Sequence, residues 1–366
     1  MKIGILTFHR ADNYGAMLQA YALTKELNDL GCDAELIDYR CDAIENQYYP
    51  YKMVPPKRKN CIKWGKQLIK NFWIVPKKNT NGVKCRAFRD KYFKMSRSVR
   101  TASDRAAIEN EYDLIITGSD QIWSYGITGS ADDWYCFKRN GGKASVVSYA
   151  ASVGNLAEFN THFFEYEDKL KAYDSISVRE EDAKEYLEKK LNKSIQKVLD
   201  PTLIVDHNVW NKVAVSPRTD HYVFYYDVER NEVANKIAND TAEKTGLPLV
   251  HYDLKKFTDK NLSLDAGPDE FLGLIKNADY VVTSSFHGTV FSTLFKKKFV
   301  SALHPTTGAR VKSLLTDLDL ADRICTSSDK FHGFSDDFHD SDERLEKLRK
   351  ESINYLKEVI ANVEKQ

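Results

Sequence analysis

Short apolar runs alternating with helix-period segments constrain this chain more than any other feature of its sequence. Ile3 to Phe8 is such a run, broken by Asp12-Asn13-Tyr14-Gly15. Ala16, Ala20, Leu23, Leu27 and Leu30 then recur at steps of four and three residues, the period of a helix. Gly31 stops that helix, and Glu35 to Tyr39 reads as the next strand. After a basic stretch the alternation resumes with strands at 112–117, 144–149 and 174–178, a charged helix over 180–191 and a short run at 197–199 that ends on Asp200-Pro201. A second series places strands at 222–226, 247–252, 280–283 and 299–303, with helices over 231–245, 269–278 and 289–295 between them. β and α segments at this pitch predict parallel sheets covered by helices on both faces, because parallel neighbours can be joined only by long crossovers.

With 366 residues and a break near 205–220, the expectation is an α/β protein of two Rossmann-like domains facing each other across a cleft. The first spans 1–205, with a basic helical insertion at 50–100, and the second spans 215–335. The charged stretch 340–366 reads as a surface helix packing back across both. Hydrophobic residues make up 42% of the chain and charged residues 29%, the balance of a soluble globular protein, which argues against disorder. No apolar run approaches the roughly 20 residues of a spanning helix. The apolar start meets His9, Arg10 and Asp12 almost at once, unlike a signal peptide, so a cytoplasmic protein is expected. The six cysteines have no metal-type or disulfide-framework spacing and read as reduced, mostly buried thiols; no metal is expected.

Charge is unevenly placed. Residues 51–100 carry 16 Lys or Arg and a single acid, Asp90, whereas the remainder has 38 basic and 52 acidic residues. That asymmetry points to a local anionic partner. Cys61, Trp64, Gly65, Leu68 and Phe72 fall on one helical face, with Lys63, Lys66, Gln67 and Lys70 on the other. Two readings stay open: a helix lying on an anionic membrane surface, or the solvated face of an inserted helical hairpin. The segment has none of the recognised nucleic-acid motifs, so nucleic acid is not an expected partner.

In open parallel sheets ligands sit beyond the carboxyl ends of strands, where the next helix offers free N–H groups. That rule selects four places: 12–15, 118–121, 177–179 and 284–288. In Thr283-Ser284-Ser285-Phe286-His287-Gly288-Thr289, His287 stands at a helix mouth, either as a proton donor beside anion-holding N–H groups or as a helix cap. Arg179 ends a buried strand, either as a fork for a carboxylate or phosphate or as the partner of a nearby acid such as Asp182. Asn13 and Gly15 lie in a turn able to cradle an anion, though without a full dinucleotide fingerprint. Asp120 and Gln121 either orient a hydroxyl group, or Ser119 or Asp120 caps a helix.

Taken together these segments resemble the polysaccharide pyruvyl transferase family. The resemblance rests on Gly4-Ile5-Leu6-Thr7 with Asn13-Tyr14-Gly15-Ala16-Met17-Leu18-Gln19, Gly118-Ser119-Asp120-Gln121-Ile122-Trp123, Tyr149-Ala150-Ala151-Ser152, Ser177-Val178-Arg179-Glu180, Asp200-Pro201-Thr202-Leu203 and Ser285-Phe286-His287-Gly288. It implies a glycosyltransferase fold of the B type and transfer of the pyruvyl group of phosphoenolpyruvate to a sugar of a surface polysaccharide or its lipid-linked precursor, forming a ketal. Phosphoenolpyruvate would be a co-substrate, with no separate cofactor. His287 would be the general acid and Arg179 a donor clamp, with Ser285, Gly288, Thr289 and Arg310 binding the donor. Asn13, Gly15, Asp120 and Gln121 would bind the acceptor or an anion. The chain departs from the family pattern at Ser285, where an arginine is common; Arg310 is the cation available to replace it. The competing readings are a nucleotide-sugar glycosyltransferase of the same fold and a non-catalytic sugar-binding protein of an envelope-polymer assembly.

Overall fold

The computed structural model describes residues 1–48, 81–228, 231–253, 266–303 and 308–365. Two parallel sheets organise them. The first contains β1 (Lys2–Leu6), β2 (Asp33–Tyr39), β3 (Met95–Val99), β4 (Leu114–Asp120), β5 (Ser145–Ala151), β6 (Ser177–Val178) and β7 (Gln196–Lys197), in the order β3-β2-β1-β4-β5-β6-β7. The second contains β8 (Val223–Asp227), β9 (Leu249–Asp253), β10 (Tyr280–Thr283), β11 (Lys298–Ala302) and β12 (Ile324–Cys325), in the order β12-β11-β10-β8-β9. Every pairing in both sheets is parallel. The central strands are buried on both faces, which is why they read as continuous apolar runs: all of Leu114–Ser119 and Val223–Asp227 is inaccessible.

Strand order reverses between β1 and β4 in the first sheet and between β8 and β10 in the second. Crossovers leave in opposite directions at such a switch point, and the gap between them is where ligands enter an open α/β sheet. Both gaps open onto the same cleft, which is lined by Asn13 and Gln121 from one side and by Ser285 and His287 from the other.

The two sheets share one apolar core rather than standing as separate lobes. It runs from Ile3, Leu36 and Ile116 through the helix Tyr14–Asp29 to Phe224, Phe271 and Phe291. Tyr14 packs its ring on Phe271 at 5.0 Å, and its hydroxyl donates to the Ala266 carbonyl at 2.6 Å. The stretch expected to be a break between domains contains the helix His207–Val213, whose Trp210 is fully buried against Phe291. The helix Ser341–Glu364 returns across the junction. Lys296 of the second unit contacts Ser341 and Asp342 at its start, and Tyr355 donates to the Ser148 carbonyl of β5 at 2.9 Å.

Several elements differ from the sequence expectation. The helix after β10 begins at Phe286 rather than Thr289, because Ser285 caps it and so places His287 in its first turn. Strand β3 and a helix over 81–92 lie in the basic segment, whose alternation is masked by charge. The proposed amphipathic face from Cys61 to Phe72 lies outside the described residues. Several of the described cations pair internally. Arg89 is buried 3.0 Å from Asp12, Lys84 meets Glu270 at 2.7 Å, and Arg97 bridges Asp104 and Glu111. Part of the basic excess is thus spent on acids elsewhere in the fold. Among the described residues, no helix is long and apolar enough to cross a membrane.

Leu356 of the last helix is 1% exposed and belongs to the apolar core. Leu356→Ala should cost about 2–5 kcal/mol in a urea titration, the range for emptying a tightly packed leucine site.

Candidate functional site

The first wall of the cleft is the loop from β1 to the helix Tyr14–Asp29. Asn13 caps that helix, its Oδ1 accepting from the Ala16 N–H at 3.1 Å, and it lines the cleft. The loop is held from behind. Arg10 donates from Nε and Nη2 to the two oxygens of Asp38 at 2.6 and 2.5 Å, and His9 lies 3.1 Å from the same carboxylate. Burial opposes ionisation of Asp38, but the bonds from His9, Arg10 and Ser98 outweigh it and hold the carboxyl well below the usual range.

Gly15 faces the second unit. A Cβ at this position would lie 2.0 Å from Nδ1 of His287. Its place in the motif is therefore explained by close approach: the helix start packs directly on the imidazole, and only glycine leaves room.

The floor is built on a buried carboxylate, Asp200, which the sequence analysis places in a motif without a role. Asp200 is 2% exposed and accepts from Arg179 Nη1 at 2.6 Å, Thr202 Oγ1 at 2.6 Å and the Thr202 N–H at 3.0 Å, with Ser119 Oγ at 3.2 Å. His287 Nε2 lies 3.7 Å from its Oδ2. Burial raises the pKa of Asp200, yet His287, Arg179 and Thr202 together pull it far below the ordinary carboxylate value, so it stays ionised.

Arg179 is also placed differently from the expectation of a fork open to the cleft. Its partners are Asp200, then Asp120 Oδ1 at 3.6 Å and Glu180 Oε1 at 3.9 Å, not Asp182. Its guanidinium stacks on Phe286 with Cζ 5.0 Å from the ring centre. Burial disfavours its charge, but the three carboxylates raise its pKa further. Next to it, burial raises the pKa of Glu180, an effect opposed by Arg179 and Arg310.

The second wall comes from β10 and the helix Phe286–Leu294. Thr283 Oγ1 donates to the Tyr226 carbonyl, and Ser284 Oγ donates to Asp227 at 2.6 Å, which fixes the exit from the strand. Ser285 accepts from the Gly288 N–H at 3.4 Å. Two expected donor-binding residues point inward instead. Thr289 bonds to Ser285 O and Ser301 Oγ and is fully buried, and Gly288 is pressed so closely on Thr283 that a Cβ would come within 2.3 Å.

Arg310, on the helix Ala309–Asp317, does line the cleft together with Ser285 and His287. It too lies over Phe286, 5.7 Å from the ring centre, and Gln121 accepts from its Nη1 at 2.8 Å when the carboxamide oxygen faces it. Asp120 lies beside Gln121 on the cleft wall; the next helix, Tyr125–Thr128, begins after Ser124, so neither residue sits at its cap. The structure thus gathers Asn13, Asp120, Gln121, Ser285, His287 and Arg310 around one cleft, with Gly15 against the imidazole and Arg179 behind Phe286. Phe286 and Asp200 are the members sequence reasoning missed. A carboxylate directly after a short strand, at the end of a sheet whose other strand ends were already candidates, was the available signal for Asp200.

Two parallel sheets facing across a cleft, with the ligand gap of each at that cleft, define a two-domain fold of the glycosyltransferase B type. A solved structure shares it. A UDP-N-acetylglucosamine 2-epimerase described as putative, from Listeria monocytogenes, aligns over 100% of this chain and 97% of its own, at 10% identity and a TM-score of 0.52. The UDP-GlcNAc 2-epimerase of Neisseria meningitidis aligns over 97% and 100%, at 10% identity and a TM-score of 0.49. Among curated proteins, none matches the chain. The profile of the polysaccharide pyruvyl transferase family matches residues 13–303, most of the chain, and the protein belongs to that family.

Two outcomes test this geometry. Gly15→Ala forces a methyl group into the His287 ring and should destabilise the fold by about 1–3 kcal/mol, measured by denaturant unfolding. For Asp200, a carboxyl whose folded pKa lies below its unfolded value of about 3.9 stabilises fully at neutral pH and loses that contribution as the pH falls below about 5. Asp200→Asn should therefore lose less stability than the wild type between pH 7 and pH 3 in parallel urea titrations.

Proposed function

We propose that this protein transfers the pyruvyl group of phosphoenolpyruvate to hydroxyls of a sugar in a surface polysaccharide or its lipid-linked precursor. Family membership supports pyruvyl transfer. The observation that carries the donor assignment is the meeting of His287, Ser285 and Arg310 from the second unit with Asp120 and Gln121 from the first in a single cleft. In this reading His287 protonates the methylene carbon of the donor, leaving a cation-like C2 for a sugar hydroxyl to attack. A second hydroxyl then closes the ketal as phosphate leaves. The donor is consumed as co-substrate, and the chemistry calls for no cofactor.

Arg310 takes the donor's carboxylate or phosphate in place of the arginine that family members commonly carry at the position of Ser285. Arg179 acts from behind. It is boxed by Asp200, Asp120 and Glu180 and supports Phe286, on which Arg310 also lies. Its role in this reading is to position the cleft-lining groups rather than to bind the donor directly.

Phosphate release from phosphoenolpyruvate in the presence of candidate glycans is the test. His287→Ala should lower the rate by about 10²- to 10⁴-fold, the usual worth of a positioned acid. An undiminished rate would remove His287 from the chemistry. Arg310→Ala should raise the KM for phosphoenolpyruvate, and adding Ser285→Arg to that variant should recover part of the loss. Unchanged donor KM in Arg310→Ala would show that the clamp lies elsewhere.

A further inference from the structure

We propose that Asp120 is the general base that takes the proton from the attacking sugar hydroxyl. The inference rests on the pyruvyl-transfer reading and supplies the partner that the acid His287 requires. Addition of a hydroxyl across the donor's double bond needs a proton delivered to carbon and a proton removed from oxygen, so an acid without a base accounts for half of the step.

Three carboxylates surround the site, and the structure separates their roles. Asp200 is enclosed and saturated by Arg179, Thr202 and Ser119. Glu180 is buried beside Arg179 and does not line the cleft. Asp120 is the one carboxylate among the described residues that lines the cleft with His287. One of its oxygens is anchored: Oδ1 accepts from the Gln121 N–H at 2.8 Å and faces Arg179 Nη2 at 3.6 Å. Oδ2 accepts no hydrogen bond among the described residues, and the side chain keeps 14% of its surface exposed. A carboxylate anchored through one oxygen while the other accepts no hydrogen bond is the arrangement a base requires, since its orientation is set before the hydroxyl arrives.

The backbone supports the assignment. Asp120 has φ +76°, a conformation that a residue with a side chain adopts at a cost of about 1–3 kcal/mol and retains where its surroundings demand it. Here the carboxyl end of β4 turns sharply at the ligand gap of the sheet. The ion pairs from Arg179 to Asp120 and Asp200, and from Asp200 to His287, connect the base to the acid through one chain of charges.

The step balances as follows. The imidazolium of His287 gives its proton to C3 of phosphoenolpyruvate as the sugar oxygen bonds to C2, and the hydroxyl proton passes to Asp120. In the closing step the second hydroxyl bonds to C2, the C2–O bond to phosphate breaks, and hydrogen phosphate leaves with one of the two hydroxyl protons. The other restores His287.

The experiment compares phosphate release by the wild type, Asp120→Asn and Asp120→Gly, with phosphoenolpyruvate binding measured in parallel by calorimetry. Glycine accommodates the positive φ, so Asp120→Gly keeps the backbone even if the asparagine variant folds poorly. The expected result is a loss of at least about 10²-fold in kcat for both variants, donor affinity within about threefold of wild type, and concentration-dependent recovery of Asp120→Gly by formate. His287→Ala should gain nothing from formate. Turnover by Asp120→Gly at near the wild-type rate without formate overturns the assignment of the base while leaving pyruvyl transfer standing. An equal loss in both variants with no formate recovery also overturns it, because a positioning role would explain the loss. Absence of phosphate release by the wild type with every candidate glycan overturns the pyruvyl-transfer reading itself, and the base with it.

Discussion

A single buried carboxylate holds the two halves of the site in register. Asp200 sits at the end of the first sheet, ionised inside the fold, and is stabilised there by Arg179, Ser119 and the two donors of Thr202. A charge placed there without partners would cost several kcal/mol, so each of these groups is constrained in turn. Arg179 cannot swing away without stranding Asp200, and its plane therefore supports Phe286 from a set distance. His287 enters from the other sheet and completes the shell at 3.7 Å. The carboxylate thereby ties an arginine of one unit to a histidine of the other.

That tie has a framework to act on because both units share a core. Tyr14, Trp210 and Phe271 bury their rings between the sheets, and the last helix runs back from the second unit to β5 of the first. The contact of Gly15 with the imidazole is a direct consequence: the start of a first-unit helix and the start of a second-unit helix are pressed together at the site. In that setting the cleft is narrow and its polar groups converge. Arg310 and Gln121 meet across it, and His287 retains only a small exposed surface.

Much of the fold was legible in the chain itself. The strands at 280–283 and 223–227 appear within a residue or two of their expected limits, because strands buried on both faces are continuous apolar runs. Strand β3 was hidden, since an edge strand has only one neighbour and here tolerates Arg97 and Ser98 on an accessible ladder. The candidate residues divide in the same way. His287, Asp120 and Gln121 belong to the cleft at places that the rule for strand ends selected, and Arg310, named only as a replacement cation, lines it too. Thr289 and Gly288 lie beside His287 in sequence but face Ser301 and Thr283 of the sheet, because successive helical residues face different directions.

The sequence by itself determined the architecture: alternating apolar periods leave a chain little choice but parallel sheets with helices on their faces, and ligand gaps at the strand ends follow from that topology. Partnership was decided only in three dimensions. Nothing in the spacing of Arg179, Asp200 and His287 says that one carboxylate serves the other two, or that Asp120 lines the cleft while Asp200 does not. Those outcomes depend on burial, which sets the cost of each charge, and burial is a property of the packed fold and of no single segment of chain.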